Sequence, residues 1–142
     1  MATVNTGDTI TAANYNDLQS RVATIMGTGS ADSGYGQTLA SAQVSTGNTV
    51  TATHMDNLRT DINKANLHQT GSSASIGNIA VGQIIGANAS GTAVGSLTQT
   101  DEGYNDYDTA VTLITTNKKL LDNGQGTLED VISSGRSTNW QN

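Results

Sequence analysis

One stretch of the sequence occurs twice, and this duplication constrains the fold more than any other feature. Residues 4–26 read VNTGDTITAANYNDLQSRVATIM, and residues 44–66 read VSTGNTVTATHMDNLRTDINKAN. Moving the first stretch forward by 40 positions places Leu18 on Leu58 and leaves most apolar positions matched. The sequence therefore predicts two copies of one structural unit.

A weaker third copy follows nearer the C-terminus. Residues 104–107 (YNDY) repeat residues 15–18 (YNDL). Three further residues of this copy stand in the places of Thr11, Val22 and Ile25, namely Thr100, Val111 and Ile114.

The spacing of apolar residues within each copy predicts an α-helix. In the first copy these residues recur at steps of three, four and three, which places them on one helix face. Thr11 and Thr51 precede the apolar series, where a hydroxyl can accept a hydrogen bond from a free N–H of the first turn. The residues that we expect to pack between helices are Leu18, Val22, Ile25, Leu58, Ile62, Tyr107, Val111 and Ile114.

These helices predict a mainly α fold, a small antiparallel bundle of Thr-capped repeats. Two helices of similar length joined by a loop favour an antiparallel pair. We expect a tandem helical repeat over residues 1–71, with units at 4–27 and 44–68. A Gly-rich arm follows at 72–98, and residues 99–142 hold the third helical unit, a short helix and a tail. The third helix is predicted to begin at Thr100 and to continue to Leu121, and the short helix to span 127–133.

The Gly-rich region has the β-branched content of short strands at residues 79–81 and 83–85. A hairpin or an extended arm is predicted, and a flexible linker is the alternative. Because so few apolar residues cannot hold a hairpin alone, the arm should pack on the helices or pair with another subunit. The candidate subunit contacts are Ile79, Val81, Ile84, Ile85 and Val94, together with Trp140 near the end of the chain and Tyr35. For Tyr35, which lies between two glycines, folding back over the domain edge is the alternative.

The composition indicates a thin core and a polar surface. Ile, Leu, Val and Phe supply 26 of 142 residues, whereas Thr, Ser, Asn and Gly supply 65. A net charge of −6 with 13% charged residues is too low to favour disorder. Such a composition is typical of an extracellular or virion protein, and a soluble domain with polar loops is the alternative. The start of the chain shows no signal peptide.

No motif with catalytic or metal-binding spacing is present in the sequence. His54 and His68 have no third ligand at a recognisable distance, and the absence of cysteine excludes thiolate sites and disulfides. The stretch DNGQGTLED from Asp122 fails the spacing of a calcium loop. We therefore expect no enzyme activity, no cofactor and no metal. The acidic balance disfavours nucleic acid, and no apolar run is long enough for a membrane span.

The two long copies carry a resemblance to a known class of proteins. The patterns G-x-x-I-T-A, Y-N-x-L, G-Y-G-Q and Leu-His-Q in residues 4–71 resemble the N-terminal region of structural, virion or tail-fibre proteins of tailed phages that infect marine cyanobacteria and their relatives. The ending GRSTNW is similar more loosely. In longer relatives a β-rich region follows a comparable Trp, whereas this chain ends at Asn142, so the role of that region is not expected here.

Two functions remain open at this point. The first is a structural protein, a homo-oligomer that self-assembles or docks symmetrically into a phage particle, fibre or filament, with itself and other virion proteins as partners. The second is a binding module for carbohydrate or a host surface, an adhesin. Its candidate contacts are the aromatic residues Tyr35, Tyr104, Tyr107 and Trp140, because sugars stack on aromatic faces.

Overall fold

A computed structural model describes residues 4–5, 8–28, 34–74, 76–77, 79, 81, 93–94, 97–98 and 103–118. Helix α1 spans Ala12–Met26, α2 spans Ala52–Thr70 and α3 spans Tyr104–Thr116. Two short strands, β1 (Ala93–Val94) and β2 (Leu97–Thr98), pair antiparallel. The protein is thus mainly helical, with three helices in its described part.

The first two helices begin with the same local hydrogen bonds. The Thr11 hydroxyl accepts from the Asn14 N–H at 3.3 Å, and Asn14 Oδ1 accepts from the Thr11 N–H at 3.0 Å. In α2 the Thr51 hydroxyl accepts from the His54 N–H, and His54 Nδ1 accepts from the Thr51 N–H, at the same two distances. Each pair satisfies two N–H groups that the helix itself cannot bond.

The third helix differs at both ends from the sequence prediction. It begins at Tyr104, and the Gly103 N–H donates to Asp106 Oδ2 at 2.7 Å. Because glycine has no side chain, only this half of the reciprocal pair can form. The helix ends at Thr116, so its predicted continuation to Leu121 is wrong. The last turns are rich in β-branched threonine, which lowers helix propensity. Leu121 and residues 127–133 lie outside the described residues.

The three helices run parallel, so the predicted antiparallel arrangement is wrong. The Tyr15 hydroxyl donates to the His54 carbonyl at 3.2 Å, which joins the N-terminal turns of α1 and α2. Tyr104 donates to the Asn14 carbonyl at 3.0 Å and joins the N-terminal turns of α3 and α1. At the opposite end, Gln69 Nε2 donates to the Ile114 carbonyl at 2.7 Å. Like ends of the helices therefore meet.

The sequence separation of the bonded residues supports the same orientation. Bonds between α1 and α3 join residues 90, 87 and 91 positions apart, and the bond between α1 and α2 joins residues 39 apart. A nearly constant separation along a helix pair is the property of parallel helices. These values match the shifts of 89 and 40 that relate the copies in the sequence. Repeated residues thus occupy equivalent places in the bundle.

Twelve apolar or aromatic side chains from the three stripes form the centre of the core. Each helix packs against the other two, and each of the twelve side chains is at most 2% exposed. Because the copies are in parallel register, the residues fall into four tiers, each with one member per helix. The tiers are Tyr15, Met55 and Tyr104; Leu18, Leu58 and Tyr107; Val22, Ile62 and Val111; and Ile25, Ala65 and Ile114.

The connection between α1 and α2 makes the parallel arrangement possible. Residues 34–44, called here the return segment, run in extended conformation from the C-terminal end of α1 back to its start. The Tyr35 N–H donates to the Ile25 carbonyl at 2.8 Å, and the Val44 N–H donates to Asn16 Oδ1 at 2.8 Å. A helix of 15 residues is about 22 Å long, a distance that about seven extended residues cover.

The turn before each helix also recurs. The Asp8 N–H donates to the Asn5 carbonyl and the Asn48 N–H to the Ser45 carbonyl, both at 3.0 Å. In the third copy, Val94 pairs with Leu97 at the equivalent positions. The described strand pair therefore lies at residues 93–94 and 97–98. Ile79 and Val81 do not lie in strands, contrary to prediction, and residues 83–85 lie outside the described part.

Removing a tier residue should destabilise the bundle far more than removing an exposed residue of the same type. We expect Leu58→Ala to lower the free energy of unfolding by about 2–5 kcal/mol, because it leaves a cavity between three helices. Leu113→Ala is the matched control, since Leu113 is half exposed and should cost less than about 1 kcal/mol. Urea unfolding followed by circular dichroism measures both, and equal losses would contradict the tier assignment.

Candidate interaction surface

Asp61 is the main polar anchor of the return segment. Its carboxylate is fully buried and accepts from the Ala40 N–H at 2.9 Å, the Ser41 N–H at 2.8 Å and the Ser41 hydroxyl at 2.7 Å. Three donors offset much of the cost of burying a charge. The side chain therefore holds the extended backbone on α2. No repeat signal marks this residue, because the equivalent positions hold Arg21 and Ala110.

Asparagine side chains hold the start of two copies against a neighbouring helix. Asn16 donates to the Val44 carbonyl and accepts from the Val44 N–H, both at 2.8 Å, as an adjacent strand would. Asn105 donates to the Val4 carbonyl at 3.2 Å. Val4 and Val44 are both buried. The sequence contained a signal for these contacts, because Tyr-Asn-Asp occurs in both the first and the third copy and places Asn16 and Asn105 at equivalent positions.

An ion pair joins α1 to α3. The Arg21 guanidinium contacts the Asp108 carboxylate and donates to the Thr112 hydroxyl at 2.9 Å, and its second carboxylate neighbour is Asp17 at 3.5 Å. The Arg21 and Asp108 side chains are partly buried, so water screens this pair less than a surface pair. Charged residues of α1 and α3 are thus engaged in holding the helices together.

Two tyrosines of the top tier remain protonated hydrogen-bond donors. Burial, with the Asp61 charge adding to it, raises the pKa of Tyr15 to about 12. Burial also raises the pKa of Tyr104 to about 12, with the Asp17 and Asp108 charges adding and the Arg21 charge opposing. Neither phenol can act as a base near neutral pH. Their hydroxyls instead connect the N-terminal turns of the helices.

A groove lies between α3 and the chain that follows α2. Its volume is about 360 Å³, and it is lined by Asn66, Ser73, Ala74, Ile76, Asp106, Thr109, Ala110 and Leu113. Ala110 occupies the position that Asp61 has in α2, so α3 carries no carboxylate there to bind extended backbone. Leu113 is half exposed at this groove.

The structure places the predicted subunit contacts in different environments. Ile79 is buried in the core of its own chain, so its assignment as a subunit contact is wrong. The reason is that the chain near Ile79 packs on the helices, where the Tyr107 hydroxyl donates to the Gly77 carbonyl at 3.4 Å. Val81 is 89% exposed. Val94 lies in β1, and Ile84, Ile85 and Trp140 lie outside the described residues.

Tyr35 folds back over the end of the bundle. Its hydroxyl accepts from Gln69 Nε2 at 3.0 Å, and its ring lies edge-on to His68 with 4.8 Å between ring centroids. Its N–H bonds to the last turn of α1. Tyr35 thus connects the C-terminal ends of α1 and α2, and it is only partly buried.

The described side chains form no centre that holds a metal. Within the described ranges, no group of three or more His, Asp or Glu side chains is placed to bind an ion. None of the three helices combines the length and apolar character that crossing a membrane requires. What the described residues offer is a set of backbone anchors and a few exposed apolar side chains.

Comparison with known proteins adds no relative. No protein-family model matches the sequence, and neither a curated protein nor a solved structure matches it.

Removing the Asp61 carboxylate should release the return segment. We expect Asp61→Ala to lower the free energy of unfolding by about 2–4 kcal/mol, because the Ala40 and Ser41 N–H groups lose their buried acceptor. Hydrogen exchange at these two amides should become much faster. The matched control is Asp56→Ala, which removes an exposed carboxylate paired with Arg59 and should cost less than about 1 kcal/mol. Unchanged exchange at Ala40 and Ser41 in Asp61→Ala would contradict the anchor.

Proposed function

We propose that this chain is a non-enzymatic structural protein of a phage particle, which self-assembles or docks symmetrically into a fibre, tube or other virion assembly. The observation that carries the proposal is the parallel bundle of repeated units. Three related helices with one direction give the molecule two unlike ends and approximate threefold repetition around one axis. Such a body suits stacking or docking along an axis, because each contact made by one copy has related positions in the others.

The use of polar side chains supports a structural role. Asp61, Asn16, Asn105 and Arg21 bond to backbone or to other side chains of the same chain. These are groups that an active site would need free to meet a substrate. Their engagement inside the fold favours a scaffold over a catalyst.

The exposed apolar side chains are the proposed contact points with neighbouring chains. Val81 is almost fully exposed, and Leu67 and Leu113 are each about half exposed. Burying such side chains against another molecule is favourable by about 25 cal/mol per Å² of apolar surface. We propose a virion or extracellular assembly as the location and a second copy of the chain, with other virion proteins, as partners.

The burial of two tyrosines weakens the alternative of a carbohydrate-binding module. Tyr104 and Tyr107 are at most 1% exposed, so neither presents a face on which a sugar could stack. The Tyr35 ring packs against His68 in a T-shaped arrangement, and Trp140 lies outside the described residues. No contact in the described part favours this second function.

Self-assembly can be tested with the purified chain. We expect light scattering after size-exclusion chromatography to show oligomers whose mass rises with concentration, and negative-stain microscopy to show regular particles or filaments. The double variant Val81→Asp, Leu113→Asp should shift the population towards monomer without changing the helical content measured by circular dichroism. A single charge on exposed Thr53 (Thr53→Asp) is the control and should leave assembly unchanged.

A wild-type chain that stays monomeric at millimolar concentration would contradict self-assembly. Oligomers that resist the double variant would contradict the assigned contact points and leave the oligomeric function standing.

A further inference from the structure

The cap of α2 contains an ionisable acceptor that the cap of α1 lacks. The Thr51 N–H donates to His54 Nδ1 at 3.0 Å, and the Thr51 hydroxyl lies 3.1 Å from the same nitrogen. In α1 the corresponding acceptor is the amide oxygen of Asn14, 3.0 Å from the Thr11 N–H and 2.6 Å from its hydroxyl. The caps of α1 and α2 thus have the same geometry, but the acceptor is an amide oxygen in α1 and an imidazole nitrogen in α2.

The donor in this contact defines the state of the imidazole. A backbone N–H can only donate, so His54 Nδ1 must be the acceptor and carries no proton. The ring proton of the neutral side chain therefore resides on Nε2. Imidazole takes up a proton in mildly acidic solution, and the imidazolium ion has no acceptor nitrogen. An amide oxygen such as that of Asn14 keeps its acceptor at every pH in this range.

We propose that His54 makes the N-terminal turn of α2 sensitive to acid, whereas the equivalent turn of α1 is not. Protonation of His54 removes the acceptor of the Thr51 N–H. It also places a positive charge in the first turn of a helix, where the helix dipole disfavours cations. Both effects act at the same place, which comprises the Thr51 N–H and the first turn of α2. Stability is therefore lost as the pH falls.

The groups around His54 do not reverse this effect. From α1, the Tyr15 ring lies 5.7 Å from the imidazole, and its hydroxyl donates to the His54 carbonyl. Tyr15 and Tyr104 of α3 are both neutral phenols in mild acid. On α2, Asp56 is paired with Arg59, and the buried Asp61 carboxylate is held by three donors of the return segment. The preceding residues 48–51 (NTVT) contain no ionisable side chain.

The consequence extends to the contact between two helices. The His54 carbonyl that accepts from Tyr15 belongs to the turn that would loosen. Acid should therefore weaken the α1–α2 contact at this end of the bundle and leave the opposite end, where Gln69 bonds to the Ile114 carbonyl, in place. This inference does not depend on the proposed function.

The two histidines allow a clean test, because between pH 7 and pH 5 few other side chains titrate. We expect the melting temperature of the wild-type chain to fall by about 3–5 °C over this range. His54→Asn copies the cap of α1 and should abolish the fall. His68→Gln is the matched control and should retain it.

Two measurements on the wild-type chain test the inference without any variant. The ¹⁵N shifts of His54 at pH 7 should show an unprotonated Nδ1. Exchange of the Thr51 amide, corrected for the intrinsic pH dependence, should become about fivefold faster at pH 5, whereas exchange of the Thr11 amide should not change. A proton on Nδ1 at pH 7, or an equal fall in melting temperature in His54→Asn, would overturn the inference.

Discussion

The structure depends on the hydrogen bonds that hold extended backbone along the helices. Parallel helices in one chain require that the chain return to its starting end after each helix. The return segment would expose a row of backbone donors and acceptors if nothing bound them. Asp61 and Asn16 supply these partners from two helices, and they fix the position of the segment at Ser41 and Val44. The register of α1 against α2 follows from these contacts.

This arrangement explains how a sequence with few large apolar residues forms a core. The four tiers place one side chain from each helix at every level, so twelve residues are fully enclosed by the bundle. Buried valines at the start of two copies, together with Ile76 and Ile79 from the chain after α2, cover the helices from outside. On the solvent side, threonine hydroxyls donate to the carbonyl four residues earlier, as Thr109 does to Asn105. The polar composition is thus compatible with regular helices.

The helices could be predicted because their signal is local. A helix buries one face, and the three-four spacing of Leu18, Val22 and Ile25 defines that face without knowledge of its neighbours. The sequence does not predict the relative direction of two helices in the same way, because the spacing of apolar residues is the same for parallel and antiparallel partners. The preference for short connections then favoured the wrong orientation. The start of α3 was misplaced because Thr100 resembles a cap, whereas Gly103 and Asp106 form the observed one.

The long-range anchors and the packing of the Gly-rich region could not be predicted from the sequence, because they depend on contacts between residues that are far apart in the chain. Asp61 acts on residues 20 positions earlier, and its repeat equivalents have different chemistry. Ile79 was predicted to contact another subunit because the Gly-rich region has too few apolar residues to hold a hairpin alone. Its burial is a tertiary contact within the core, to which the spacing of the surrounding sequence gives no clue.

The parallel orientation of the helices is the central claim, and distances between spin labels test it most directly. The chain has no cysteine, so labels can be placed freely at exposed Thr24, Thr53 and Lys64. Thr24 and Lys64 lie near the C-terminal ends of α1 and α2, whereas Thr53 lies near the start of α2, about 16 Å along the axis from Lys64. The Thr24–Lys64 distance should be shorter than the Thr24–Thr53 distance by several ångströms. The reverse order would show that α1 and α2 are antiparallel and would contradict the structure described.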